Sequence, residues 1–270
     1  MRFCILLVAV LAITFIYVSC NKHTVQNYTG NINKVLSGWE HSTDPASRTQ
    51  LSFDEGRNVI KEETGNDISS YQFVNDSLII REFSKEENRY VYEFAGRLDN
   101  QKRLVSGIAT SSYITSTPDT IQHFFEYNKE GFLVTEKRIS ASSDTFRIQY
   151  EYEANVVKKV LTYSDTVLYN TKEFTYYDNE LSYTLPEETK FRKNINNLVG
   201  RSEHKLVKKI VSTGRNGRQK YMANYEYQMD ANGYASKMIS RKGKKIGAVM
   251  TFYYGEILNA SNKTLAANIN

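Results

Sequence analysis

The feature that most constrains this chain is a repeated alternation of aromatic or β-branched residues with polar residues. The segment "RIQYEYE" (147–153) and the segment "YMANYEYQ" (221–228) both place Ile, Tyr or Ala at every second position. A period of two is typical of a β-strand with one buried face. An amphipathic helix would space its apolar residues three and four apart, and no window of comparable length does so. The sequence therefore predicts an all-β protein.

Polar turn sequences separate these alternating segments. Examples are "NKEG" (128–131), "GRNG" (214–217) and "DANG" (230–233), in which Gly and Asn supply the positive φ of tight hairpins. Counting the segments predicts an antiparallel β-meander of roughly 14 to 16 strands joined in sequence order. A sheet of that width does not stay flat. We expect it to curl into a barrel or a flattened barrel.

The first residues, "MRFCILLVAVLAITFIYVSC", have the pattern of an export signal: one early positive charge and a mainly apolar run. A small residue followed by Cys20 at the end of that run resembles the lipobox of bacterial lipoproteins. This resemblance implies a signal peptide over residues 1–19 and acylation of Cys20, for example by palmitate. An uncleaved anchor and cleavage by ordinary signal peptidase are the alternatives.

Cysteine use agrees with an acyl anchor. Cys4 and Cys20 are the only cysteines, so an exported body keeps one thiol and has no disulfide. Residues 20–49 are polar and turn-rich and are interpreted as a tether, with two possible helical turns in "NINKVLSGW" and Trp39 as a docking point. Residues 50–258 form the predicted barrel domain, and residues 259–270 form a polar C-terminal tail.

The repeat also resembles a known family. The Tyr-x-Tyr arm, the Asp-x-x-Gly-Tyr turn and the Lys-Met arm of residues 225–239, with "KLVKKIVS" from Lys205 and "MTFYYG" from Met250, are similar to Bacteroidetes lipoproteins of unknown function with a porin-like fold. The resemblance spans about Leu51 to Tyr254. It implies a curved β-barrel and no particular activity. The same arms also resemble the YD repeats of Rhs-type shells.

A barrel inserted in lipid does not fit these residues. Glu136, Lys137 and Arg138 follow one another in one strand, so both of its faces carry charge, whereas a lipid-facing wall is apolar. We expect a water-soluble barrel attached to the membrane through its lipid.

A barrel this wide is flattened, plugged by the tether or a loop, or hollow around water or a ligand. Four tyrosines are therefore candidate ligand-facing aromatics: Tyr150, Tyr152, Tyr225 and Tyr227. The alternative is that they only pack across strands.

The sequence offers little for catalysis or metal binding. His23, His41, His123 and His204 show no metal-ligand spacing, and no nucleophile or phosphate-loop motif is present. Adjacent acidic pairs such as Glu62 with Glu63 are interpreted as residues that solvate turns and edges. We therefore expect a protein that is not an enzyme and that needs no metal or other cofactor.

Charge is unevenly distributed along the chain. Residues 201–245 hold twelve basic and three acidic side chains. This predicts a basic band on one side of the barrel that attracts lipid phosphates, acidic glycans or an acidic partner. Nucleic acid is not expected as a partner of an exported protein. The alternative is a set of charged hairpin tips that keep sheet edges soluble. The band comprises Lys205, Lys208, Lys209, Arg215, Arg218, Lys220, Arg241, Lys242, Lys244 and Lys245.

Three short motifs, "DSL", "DTI" and "DTV", resemble acceptor sites for O-glycosylation in exported Bacteroidetes proteins, and they imply glycans on Ser77, Thr120 and Thr166. The residues after Cys20 lack an acidic surface-export cluster, which favours the periplasmic side of the outer membrane. The leading hypothesis is a non-enzymatic envelope lipoprotein that binds a ligand or partner. The second hypothesis is a structural or assembly component that acts through protein contacts.

Overall fold

The computed structural model describes residues 34–41, 44–55, 58–112, 119–180, 198–200 and 205–256. These residues form sixteen β-strands and no helix. The strand bounds are β1 Lys34–His41, β2 Asp44–Phe53, β3 Val59–Glu63, β4 Asp67–Val74, β5 Ser77–Ser84, β6 Arg89–Leu98, β7 Leu104–Ser111, β8 Asp119–Tyr127, β9 Leu133–Ser140, β10 Thr145–Glu153, β11 Val156–Ser164, β12 Val167–Glu180, β13 Lys205–Gly214, β14 Gln219–Met229, β15 Ala235–Lys242 and β16 Lys245–Glu256.

The strands form one closed antiparallel barrel in sequence order. Every strand pairs with its neighbours in the chain, and β1 pairs with β16 through seven aligned positions from Lys34 with Glu256 to His41 with Met250. Closure removes both sheet edges, so each of the sixteen described strands is paired on both sides. The predicted meander, the strand number and the barrel are confirmed.

The two ends of the barrel differ in the hairpins they carry. At the end where β1 begins and β16 ends, called the terminal end, lie the turns that follow even-numbered strands. At the opposite end, called the distal end, lie the turns that follow odd-numbered strands. The alternation of direction in an antiparallel meander fixes this arrangement.

Several terminal-end turns share one chemistry. Asp230 closes its turn because the Tyr234 backbone NH donates to Asp230 Oδ1 at 2.9 Å and Gly233 adopts φ +82°. Asn128 does the same for the Phe132 NH at 2.9 Å. An Asx side chain that bonds the backbone beyond it, with Gly in the left-handed region, is a strong turn former. These are the turns that the sequence predicted from "DANG" and "NKEG".

Side chains alternate between a buried inner face and an exposed outer face. In β5 every second residue from Leu78 to Ser84 is buried. The largest apolar cluster lines β3 to β9, a second lines β1, β13, β15 and β16, and a third lines β10 to β13. Phe94 is fully buried because Gly96 and Gly107, which are paired across β6 and β7, leave room for its ring. The core therefore lies inside the barrel wall.

The barrel begins earlier than the sequence predicted. The range 34–49, interpreted as tether, contains β1 and the start of β2, and Trp39 is buried against Met238 and Phe252. The strand was missed because a register shift between Leu36 and Gly38 interrupts the alternation that identifies the other strands.

Several sequence predictions fall outside the described residues. The signal peptide, Cys20, the first part of the tether and the C-terminal tail all do so. Within the described part of the chain, no helix has the length and apolarity to cross a membrane.

Candidate binding surfaces

The inward tyrosines at the terminal end use their hydroxyls to bond the backbone of the preceding strand. Tyr152 Oη donates to Leu133 O at 2.8 Å, and Tyr227 Oη donates to Val207 O at 2.9 Å. Each donor lies near the end of an even strand and each acceptor near the start of the strand before it, so the contact repeats around the wall. The same bond is made by Tyr127 to Leu104, Tyr176 to Val157 and Tyr254 to Ala235.

The four candidate aromatics thus divide into two kinds. Tyr152 and Tyr227 belong to this backbone-bonded girdle, which gives them a structural role. Tyr150 and Tyr225 lie two residues earlier in their strands and are only half-buried against the inner clusters, and the Tyr225 hydroxyl lies 3.3 Å from that of Tyr221. All four face the interior, and a ligand role for them stays a prediction.

A segment between β12 and β13 packs inside the terminal end. Leu198 O accepts the Leu104 backbone NH at 2.8 Å, and Gly200 forms an isolated β-bridge with Phe132. Leu198 is buried within the cluster of β3 to β9. The contacts join this segment to hairpins three or more strands away around the wall, so residues 198–200 cover part of the terminal end.

Charged groups lie inside the wall at mid-height. Glu136 is 1% exposed, and its Oε1 lies 2.6 Å from Arg138 Nε and 3.6 Å from His123 Nδ1. Burial alone would raise the pKa of Glu136, but the neighbouring His123 and Arg138 outweigh it and lower the pKa to about 2. The carboxylate is therefore held ionised within the core.

Buried polar groups also lie on the inner face of β3, β4 and β5. Tyr71 Oη donates to Glu62 Oε2 at 3.2 Å, and Ser69 Oγ donates to Glu82 Oε2 at 3.1 Å. Burial, followed by the adjacent Glu62 carboxylate, raises the pKa of Tyr71 well above its usual value. The interpretation of Glu62 as a turn-solvating residue is wrong, because its side chain is buried on the inner face.

The ten residues of the predicted basic band do not lie together. Lys205, Lys208 and Lys209 occupy the half of β13 nearer the terminal end, and Arg241 pairs with Glu226 at 2.9 Å. The other six lie on two neighbouring distal hairpins, β13–β14 and β15–β16, and are called here the distal basic rim. The rim consists of Arg215, Arg218, Lys220, Lys242, Lys244 and Lys245.

The rim combines positive charge with aromatic and apolar groups, of which Tyr169 and Ile246 are exposed and Tyr221 is half-buried. Lys220 Nζ lies 4.3 Å from the centre of the Tyr169 ring, and Lys242 Nζ lies 5.0 Å from that of Tyr221. None of the six rim residues forms an ion pair with another described residue. Ile246 is 59% exposed beside them. Within the described part of the chain, such a surface offers cations that are not neutralised in an ion pair.

The remaining candidates are single positions. Ser77, Thr120 and Thr166 are exposed at strand ends or in a turn, so they are accessible, and their glycosylation stays a prediction. Among the described residues, no group of three His, Cys, Asp or Glu side chains has an arrangement that holds a metal ion. His23 and His204 lie outside those residues.

Comparisons with known proteins show similarity in fold alone. No protein-family model and no curated protein matches the chain. A porin-like protein from Bacteroides vulgatus superposes with a TM-score of 0.61 at 13% identity, covering 82% of this chain and 99% of the other. A porin-like protein from Bacteroides uniformis gives 0.60 at 10% identity, covering 82% and 96%. The predicted resemblance to a Bacteroidetes porin-like fold is confirmed.

Proposed function

We propose that this chain is a non-enzymatic lipoprotein of the cell envelope that binds a polyanionic surface through the distal basic rim. The porin-like neighbours support an envelope role and offer no sign of an activity. The anchor at Cys20 and a position on the periplasmic side of the outer membrane are part of the proposal.

The observation that carries the proposal is the concentration of six cations on two adjacent hairpin tips. Residues 214–220 and 241–248 contain no acidic side chain, so the field of the rim is not cancelled locally. Exposed Ile246 and Tyr169 add apolar contact of the kind that surface-bound proteins use at the boundary of lipid headgroups. Anionic headgroups and anionic glycans share the chemistry that this surface recognises.

The outer wall favours attachment through a lipid over insertion of the barrel. Ion pairs lie on outward positions of the wall, such as Arg81 with Glu93 at 2.7 Å and Arg241 with Glu226 at 2.9 Å. A basic side chain that faces lipid at the bilayer midplane costs roughly 2 to 4 kcal/mol. A wall with these residues is better placed in water.

The test compares two triple variants with the same change in net charge. One is Lys242→Gln, Lys244→Gln, Lys245→Gln in the rim, and the control is Lys205→Gln, Lys208→Gln, Lys209→Gln at the other end of the sheet. Since one basic residue contributes about 1 kcal/mol near an anionic membrane, the rim variant should bind phosphatidylglycerol vesicles about a hundredfold more weakly. The control should bind nearly as the native chain does.

Soluble polygalacturonate, offered in place of vesicles, distinguishes the two sources of anions. Tighter binding of the native chain to the vesicles identifies anionic lipid as the partner class, and tighter binding to polygalacturonate identifies an anionic glycan. Equal loss of binding in both triple variants would contradict the proposal, because it would show a response to net charge alone.

The structural hypothesis makes a different prediction from the same surface. A protein partner seated on the apolar residues of the rim, Ile246, Tyr169 and Val167, would keep its affinity at high salt, where screening weakens the charges. Loss of vesicle binding at high salt supports the polyanion, and retention of a co-purifying protein supports an assembly role.

A further inference from the structure

A depression of about 610 Å³ lies on the outer wall of the barrel, and none of its lining residues belongs to the six cations of the distal basic rim. It runs across the outward faces of β8, β9 and β10 and is bordered by the β11–β12 turn. This volume is within the range of small-ligand sites in proteins. The lining residues that matter here are Phe124, Thr135, Lys137, Ile139, Arg147 and Gln149.

Two cations lie directly opposite each other in its floor. Lys137 of β9 is the register partner of Arg147 of β10. Like charges in facing positions destabilise a sheet, whereas β5 and β6 place Arg81 opposite Glu93. An anion bound between Lys137 and Arg147 would offset this repulsion.

The guanidinium of Arg147 is held in place with donors unused. Its Cζ lies 4.5 Å from the centre of the Tyr163 ring, which holds the plane of the group against the wall. Its Nε is buried and has no hydrogen-bond partner among the described residues. A planar guanidinium with free donors matches a carboxylate, which accepts two hydrogen bonds side by side.

The rest of the depression is neutral or opposite in sign. Glu126 and Asp165 line its border, so the four charged side chains sum to zero, which disfavours a densely charged polyanion. Phe124 is 40% exposed and offers a flat apolar face beside the cations. Thr135 and Gln149, which face each other across β9 and β10, offer hydrogen bonds to hydroxyl groups.

We propose that this depression binds an acidic sugar. The carboxylate of a pyranose lies between Lys137 and Arg147, the carbon face of its ring packs on Phe124, and its hydroxyls bond Thr135, Gln149 and the bordering carboxylates. The site is independent of the distal basic rim, because the two surfaces recognise different anions. The depression, whose charged side chains sum to zero, recognises one carboxylate, whereas the rim recognises a dense array of anions.

The experiment measures binding of digalacturonate and of its dimethyl ester, which keeps the sugar and removes the charge. The native chain should bind the acid and not the ester. Lys137→Met and Arg147→Met should each weaken binding of the acid at least tenfold. Lys129→Met, in an exposed turn outside the depression, should bind as the native chain does.

Three outcomes would overturn the assignment. Equal binding of acid and ester would show that the protein does not recognise the carboxylate. Undiminished binding by Lys137→Met would show that the sugar does not bind at this depression. Inorganic phosphate binding as tightly as digalacturonate would reduce the site to one for simple anions.

The urea midpoint of ligand-free Lys137→Met separates a binding role from a structural one. Relief of the repulsion from Arg147 should leave that midpoint unchanged or raise it. A lowered midpoint would show that Lys137 stabilises the sheet, and it too would overturn the proposal.

Discussion

At the residue scale, the tyrosine girdle explains why the chain repeats Tyr near the ends of its even strands. Tyr227→Phe removes only the hydroxyl that bonds Val207 O at 2.9 Å. The carbonyl then loses a partner at a half-buried position, so the free energy of unfolding should fall by about 1 kcal/mol. Urea denaturation measures the change. Tyr169→Phe is the matched control, because the Tyr169 ring is exposed and its contact with Lys220 needs only the ring. An equal fall in the free energy of unfolding for this control would contradict the stabilising role of the girdle hydroxyls.

The buried Glu136 predicts how stability depends on pH. Its pKa is lowered from 4.5 to about 2 in the fold, so the folded state holds the ionised form more tightly than the unfolded chain does. The resulting stabilisation, about 3 kcal/mol, is present above pH 4.5 and is lost as the pH falls toward 2. Glu136→Gln should be less stable at pH 7, since Arg138 loses its partner, and its stability should fall less over this range.

Urea midpoints of both proteins at three pH values across that window test this. The comparison between the two proteins isolates Glu136, because other carboxylates such as Glu63, whose pKa is also lowered to about 2, titrate in both. Parallel curves for the native chain and the variant would show that Glu136 does not carry the effect.

The inner face also shows what an alternation pattern leaves out. The pattern identified which residues of β9 share a face, and it correctly placed charge on both faces of "LVTEKRIS". It did not identify Glu136, Glu82 and Glu62 as buried. Alternation shows on which face of a strand a side chain lies, and it does not show how deeply that side chain is buried. Arg138, the cation paired with Glu136, lies in the same strand, but His123, Ser69 and Tyr71 come from adjacent strands, and the sequence of one strand does not show which residues face it.

At the scale of the element, the turns made the strands predictable and β1 was the exception. The Asp or Asn turn with a left-handed Gly marks a strand end wherever it occurs, so the count of strands followed from local chemistry. β1 has a register shift and polar flanks, and its pairing with β2 on one side and with β16 on the other makes it a strand. Long-range pairing of that kind has no local signal.

Trp39 tests whether β1 is a strand of the barrel. The side chain is 6% exposed and packs with Met238, Met250 and Phe252. Trp39→Ala should therefore lower the free energy of unfolding by about 3 to 5 kcal/mol. A residue in a tether would change it by less than about 0.5 kcal/mol. Trp39 is the only tryptophan, so circular dichroism measures the unfolding of the variant in place of fluorescence.

At the scale of the whole molecule, a closed barrel has no edge strand and a charged outer wall. Closure removes the edges through which a wide sheet associates, and the charged outer wall disfavours entry into lipid. The attachment to the envelope that we propose then comes from outside the wall, through the acyl chain on Cys20 and the distal basic rim. These two contributions differ in their response to salt, since screening at about 1 M shortens the Debye length to about 3 Å while acyl insertion persists.

Cys20→Ala should therefore release the exported protein from envelope membranes into a salt wash without detergent. The native chain should stay in the membrane fraction under the same wash and should need detergent for release. The released variant should remain monodisperse in detergent-free buffer, because its outer wall already carries the ion pairs of a water-exposed surface. If it stays with the membranes at high salt after its signal has been removed, the barrel wall or another segment holds it there, and the acyl anchor is wrong.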